Sequence, residues 1–501
     1  MRLSSRVVSG AVACATWLLF AHGCGSAGNS SGFQNPGDNG GDDDGGEGGS
    51  NDGSLFGDAL HFGDGGGSGG DDGSQGACVN LQCQQHSCSN GGSTTISGNV
   101  FDPAGKDPLY NIVVYVPNST PDPLPSGVGA NACDCAALFT GNPITATITD
   151  ANGHFILPNV PDGSNIPLVL QVGKWRQELT ISTVTQCADN PQPDGSLKLP
   201  GKSDPPTANI PDIAISTGSA DTLECLLSRI GVDSSEYVGG TSSTGHLHIF
   251  SGGGDFSGAP NTSPPGPSSD VALWSSMGNL MLYDIVLLSC EGDETFDPNQ
   301  QALHDYASAG GRVFASHFHY AWFNTGPYAS ENLATWTTGT QDLGDINGTI
   351  ETTLPNGSAF PKGAALLQWL GTVNALTNGL LPIQEARHNA DVTVSNTPSV
   401  PWIVDGTGSG SPTEYFSFNT PTTGAMLDDA GDPEYCGRVV FSDLHVGAAS
   451  GDTGGTVPGE CASGDLSPQE KALEFMLFDL SSCVTIGNQP PTPPMTPPPP
   501  K

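Results

Sequence analysis

Beyond Ile210, apolar runs of strand length alternate with segments whose apolar residues recur at helical spacing. Ile213-Ala214-Ile215-Ser216-Thr217-Gly218 reads as a buried strand, and residues 220–230 read as a helix carrying Leu223, Leu226, Leu227 and Ile230 on one face. His248-Ile249-Phe250 and residues 284–289 read as further strands, residues 298–309 as a helix, and Arg312 to Ser316 as a strand after the Gly310-Gly311 stop. The pattern closes with a strand over 437–442 and a helix over 468–480 striped by Leu473, Met476, Leu477 and Leu480. Strands apolar on both faces need helices above and below them. Residues 208–485 are therefore expected to form an α/β domain with a doubly wound parallel sheet. Residues 323–434 break the rhythm, and are expected to be an irregular insertion or lid over one edge.

The preceding stretch, 94–207, has a different period. Residues 96–101, 111–116, 144–149, 154–157 and 168–172 are short alternating runs separated by turn residues, and Asp150-Ala151-Asn152-Gly153 is a tight turn between two of them. A β-sandwich is expected there. With 501 residues the chain can build two or three cores, and 69 Gly and 41 Pro against 13% charged residues favour loop-rich β structure over helical bundles. The expected class is multidomain, a β-sandwich followed by an α/β sheet.

The N-terminus carries Arg2 and Arg6, an apolar run from Val7 to Ala21 and small residues before Cys24, the layout of an export signal. Residues 25–77 are Gly, Asp, Ser and Asn with almost no apolar content, so they are expected to be a solvated tether. Aspartates such as Asp42, Asp43 and Asp44 show no calcium-loop spacing. Residues 486–501 form a proline-rich tail expected to be disordered or polyproline-like. Eleven cysteines follow Cys24, and export makes disulfides the default for them. Eleven is odd, so at least one stays free, and Cys290 in an apolar run is expected to be that one. In the cysteine-rich segment 78–93, the gaps of Cys78-x4-Cys83-x4-Cys88 do not match a zinc knuckle. A net charge of −38 with 14 Lys and Arg leaves no basic stripe for a phosphate backbone, so nucleic acid is not an expected partner.

Three resemblances sharpen these expectations. Phe20-Ala21-His22-Gly23-Cys24 resembles a bacterial lipobox, which implies lipidation of Cys24, a membrane partner reached through that lipid, and an envelope location at the outer membrane or cell surface. Ser97-Gly98-Asn99-Val100-Phe101-Asp102, Thr149-Asp150-Ala151-Asn152-Gly153-His154-Phe155 and Leu157-Pro158-Asn159-Val160-Pro161-Asp162-Gly163 resemble the carboxypeptidase regulatory-like (transthyretin-like) family, an accessory module. No H-x-x-E zinc signature accompanies it, and the insert with Cys133-Asp134-Cys135 departs from the plain module as a disulfide clamp or a binding loop. Residues 283–292, 309–317 and 437–445 resemble the ThuA-like branch of the class I glutamine amidotransferase-like fold. In the amidotransferase branch a nucleophilic Cys follows the strand that here ends at Ser316. This chain has His317 there, and Cys290 stands where the oxyanion loop would be, so an amidotransferase reaction is not expected.

Ligands of open α/β sheets bind beyond the carboxyl ends of the strands. Those positions hold Cys290, Glu291, Asp293 and Glu294 after one strand, His317, His319, Tyr320 and Trp322 after another, and Asp443 and His445 after the last. Three readings follow. The acids, imidazoles and aromatic rings could bind a polar ligand such as a glycan without turning it over. His317-x-His319 on a strand would put two imidazoles on one face, and His445 or Glu291 could complete a divalent metal site for hydrolysis. Asp443 and His445 could instead be structural. A Cys290–His317 nucleophile is disfavoured because a desolvated thiol is a poor thiolate, and His246-x-His248 is expected to be merely exposed.

Overall fold

The computed structural model describes residues 78–497, apart from 90, 130, 131, 219, 253–267, 297, 407–410, 428–430, 447–460 and 488. The segments expected to be an export signal and an acidic tether, and Cys24, lie outside the described residues.

Two sheets face each other in the first part. Thr95–Phe101 pairs with His154–Leu157, Asp189–Pro191 and Leu197–Lys198, and opposite lies a five-stranded sheet containing Val113–Pro117, Gly163–Val172 and Trp175–Val184. Ile96, Val100, Phe155 and Leu157 from one sheet meet Val114, Leu168 and Leu170 from the other in one core. The alternation in Ile96–Phe101 and His154–Leu157 made these strands readable. The ten-residue strand Trp175–Val184 was not expected, because its exposed half is too polar to stand out.

The second part is one large sheet. Its main strands in chain order are β1 (Ile213–Ser216), β2 (Tyr237–Gly239), β3 (Leu247–Ser251), β4 (Ile285–Leu288), β5 (Arg312–Ser316), β6 (Asp342–Ile350), β7 (Leu381–Arg387), β8 (Ser399–Asp405), β9 (Thr413–Thr420) and β10 (Gly437–Ser442), and the two-residue strand Ser268–Ser269 pairs with β3. The spatial order β2-β3-β1-β4-β5-β10 is parallel throughout, and β9, β8, β6 and β7 extend it antiparallel beyond β10. The helices used below are α1 (Leu223–Arg229), α2 (Val271–Trp274), α3 (Met277–Leu280), α4 (Gln301–Ser308), α5 (Ala321–Asn324), α6 (Pro361–Thr372) and α7 (Pro468–Ser481). On one face Leu226 and Leu227 of α1 and Leu473 and Leu477 of α7 cover Leu287 and Phe314; on the other, Leu303 and Tyr306 of α4 and Leu273 of α2 cover Val286, Val313 and Val439.

The insertion departs from expectation. Residues 323–434 are not an irregular lid: they supply four strands of the main sheet together with α6. Asp342–Ile350 escaped notice because most of its side chains are exposed or half-buried, so no apolar alternation marks it.

The sandwich and the large sheet share their core. Trp175, wholly buried, donates its indole N–H to Pro200 O at 2.8 Å and packs on Phe478 of α7 at 5.2 Å, while Tyr110 stacks on Phe475 at 5.5 Å. Two disulfides, Cys133–Cys436 and Cys135–Cys483, tie the sandwich insert to the residue before β10 and to the chain just after α7, which makes the insert a clamp. Cys78–Cys83, Cys88–Cys187 and Cys225–Cys461 complete the set, and Cys290 alone among the described cysteines is free, and buried. Five disulfides mark an oxidising compartment. No described helix is long and apolar enough to cross a membrane.

A pH-sensitive contact sits on this shared core. Glu474 of α7 is fully buried, and burial, then Asp107 and Asp102, push its carboxyl well above the ordinary 4.5. The folded state thus holds a proton that the unfolded chain gives up near 4.5. That contribution is complete below the unfolded value and is lost as pH rises through the folded one. Glu474→Gln, which mimics the protonated acid, is expected to raise the thermal midpoint by a few degrees at about pH 8 and by nothing at about pH 4. Equal effects at both pH values in a thermal melt would contradict this assignment.

Candidate metal centre

The parallel strands run so that the carboxyl ends of β1, β4, β5 and β10 share one edge. The chain leaves β1 toward β3 on one side and returns to β4 on the other, so the crevice between β1 and β4 is where an open sheet accepts ligands. Gly218 follows β1 there, and a Cβ on it would lie 2.1 Å from Cys290 O, so only glycine permits this approach.

Three side chains from three separate strands converge at this edge. Cys290 Sγ lies 3.3 Å from His317 Nδ1, and His445 Nε2 lies 3.1 Å from the same nitrogen. The three ligand atoms fall within 4.8 Å of one another, the one such group among the described residues. Their exposures are 0% for Cys290, 1% for His317 and 3% for His445. Cys290 is fixed through its backbone N–H, which donates to Ser316 Oγ at 2.8 Å. His317 opens a tight turn, His317–Tyr320, directly after β5, with φ of 40°, a conformation uncommon for a residue with a Cβ. Backbone strain of this kind is held in place by surrounding structure and concentrates at functional positions.

The turn corrects the expectation of two imidazoles on one strand face. His317 and His319 lie beyond the strand and diverge: His319 Nε2 donates to Ser289 O at 2.9 Å and its ring packs edge-on to Trp274. Cys290, not His319, is the third member of the group. Tyr320 and Trp322 are buried among the aromatic rings under the insertion, and Tyr320 donates to Glu294. Asp293 is exposed and apart. Asp443 is wholly buried, accepts the Asn389 N–H at 2.8 Å, and is pushed up to about 8 by burial. Glu291, beside Cys290, accepts from Ser216 Oγ at 3.0 Å and is likewise pushed up to about 8, by burial and then Asp270. His246 and His248 also differ from expectation: His248 is buried against Tyr283, and His246 pairs with Glu236 at 2.7 Å.

Burial decides the protonation of the central group. It pulls His317 down to about 3, with Arg387 adding to the effect, and pulls His445 well below its ordinary value. It pushes the Cys290 thiol up to about 12. Both rings are thus neutral. His317 Nε2 donates to Thr340 O at 3.2 Å, which fixes the tautomer and leaves Nδ1 as a bare lone pair. One lone pair faces two neighbours, the Cys290 thiol and His445 Nε2. It can accept from only one of them at a time, so a single proton cannot bridge all three side chains.

Comparison with known proteins supplies no relative. No protein-family model matches the sequence, and no curated protein matches it. Among solved structures, two type II cohesin–X-dockerin complexes from Acetivibrio cellulolyticus match at 16% and 15% identity, over 26% and 28% of this chain and 78% and 85% of theirs, with TM-scores of 0.15 and 0.16. A 9R-lipoxygenase from Cyanothece PCC8801 matches at 17% identity over 27% of this chain and 20% of its own, with a TM-score of 0.13. Scores this low carry no argument about fold or function.

Proposed function

We propose that this chain is an exported envelope protein whose large sheet holds a transition-metal ion between Cys290, His317 and His445. The observation that carries the reading is the single His317 Nδ1 lone pair facing two neighbours at 3.3 and 3.1 Å. A cation at the centre would engage all three side chains at once: the thiol would give up its proton to solvent, and the sulfur and two ring nitrogens would each offer it a lone pair. Separations of this size are close to the ~3.3 Å edge of a tetrahedron with metal–nitrogen bonds of ~2.0–2.1 Å. One thiolate and two imidazoles suit zinc or copper rather than calcium or magnesium. Burial of all three ligands favours a fixed centre over a hydrolytic site open to substrate, and buried Tyr320 and Trp322 offer no exposed ring face for a glycan at this edge.

The α/β reading of the large sheet rests on its parallel strand order and its two helix-covered faces. The Cys24 lipobox likeness supports attachment to a membrane through lipid, with residues 25–77 as spacer. The test of the metal centre is elemental analysis of the purified full-length protein. About one zinc or copper per chain is expected, falling below about a tenth in Cys290→Ser and in His317→Ala. Wild-type protein folded, reconstituted and still metal-free would overturn the proposal.

A further inference from the structure

At the opposite, amino-terminal edge of the sheet lies a cavity of about 400 Å³ between β8, β9, the start of β10 and the start of α6. Its polar lining includes Lys362, Arg438, Asn419 and Asn356, and Val400 and Ile486 form apolar walls. Lys362 is 1% and Arg438 4% exposed. Both turn to one carboxylate: Lys362 Nζ donates to Asp479 Oδ1 at 2.6 Å, and Arg438 Nη1 to Asp479 Oδ2 at 2.5 Å. Two cations thus share one anion in a chain whose net charge is −38.

The donors are not equally used. Arg438 spends further N–H groups on Asn419 Oδ1 and Thr485 O. The Lys362 ammonium carries three N–H groups, and Asp479 is its one acceptor among the described residues. Burial, and next the Arg438 guanidinium, pull Lys362 down to about 8, so the excess positive charge is costly as it stands. Lys362 is the second residue of α6, a twelve-residue helix whose first turn favours negative charge.

From the excess cation, the presence of Lys362 and Arg438 in the lining of the cavity, and its size, we infer that this cavity binds a small organic oxyanion, a carboxylate or phosphate on a polar body of monosaccharide size. The oxyanion takes the N–H groups that Lys362 does not give to Asp479. A cavity of this volume lies within the range used for small ligands. The site is independent of the metal centre, since no residue is common to both.

The test is calorimetric titration of the full-length protein with three probes: glucuronate, glucose 6-phosphate and neutral glucose. At least one of the two anions is expected to bind tenfold or more tightly than glucose, and which one does so distinguishes carboxylate from phosphate. Lys362→Met leaves one Arg438 to one Asp479 and is expected to cost at least tenfold in anion affinity. Asn356→Asp adds a carboxylate at the exposed rim while keeping the Oδ1 acceptor that Ser358 N–H uses at 2.9 Å, so it folds whether or not Lys362→Met does, and is expected to cost about fivefold. Binding of glucose as tight as of either anion, absence of binding by both anions, or anion affinity unchanged in Asn356→Asp would each overturn the inference.

Discussion

Asp479→Asn is expected to destabilise the protein by about 3–5 kcal/mol, the cost of leaving buried charges without their partner. The carboxylate is 3% exposed and bridges Lys362 of α6 to Arg438 of β10. Burial alone would raise its pKa; Lys362 and then Arg438 reverse this and hold it below the ordinary carboxylate range. Asparagine keeps the shape and one acceptor but removes the charge that makes two desolvated cations tolerable. Adding Lys362→Met to Asp479→Asn is expected to recover part of the loss, because one of the stranded cations is gone. Urea unfolding of the two variants and of wild type under oxidising conditions measures both effects. A loss below about 1 kcal/mol would place the bridge among ion pairs of little net worth.

Removal of metal is expected to have a comparable effect. An ion bound only by the folded chain stabilises it by about 4 kcal/mol when free metal stands at a thousand times its dissociation constant. A strong chelator should therefore lower the thermal midpoint of wild type by several degrees and leave Cys290→Ser where it was. Readdition of zinc or copper should restore the wild type alone. A chelator shift of the same size in both proteins would mean that the ion sits elsewhere.

Much of this architecture was readable because burial on both faces writes itself as unbroken apolar runs. Ile285–Leu288 and Arg312–Ser316 are such runs, and their ends located Cys290 and His317. His445 was legible in the same way, three residues after the last such strand. Cys290 as the free thiol followed from the odd cysteine number and its apolar setting. His319 departs from its expected place because the backbone takes a positive φ at His317, and nothing in the residues Ser316-His317-Phe318-His319 signals it. The strand Asp342–Ile350, although paired on both sides, has most of its side chains exposed or half-buried, so no apolar pattern marks it in the sequence. The Lys362–Asp479–Arg438 group has no local motif: its members lie on α6, α7 and β10, and only the tertiary fold joins them.

X-ray absorption spectroscopy at the edge of the bound metal tests the centre most directly, because it counts scatterers around the ion without regard to activity. One sulfur at ~2.3 Å and two imidazole nitrogens at ~2.0–2.1 Å are expected in wild type, with the sulfur absent in Cys290→Ser. A stoichiometric ion surrounded by oxygen and nitrogen alone in wild type would contradict the assignment of Cys290, His317 and His445 as its ligands.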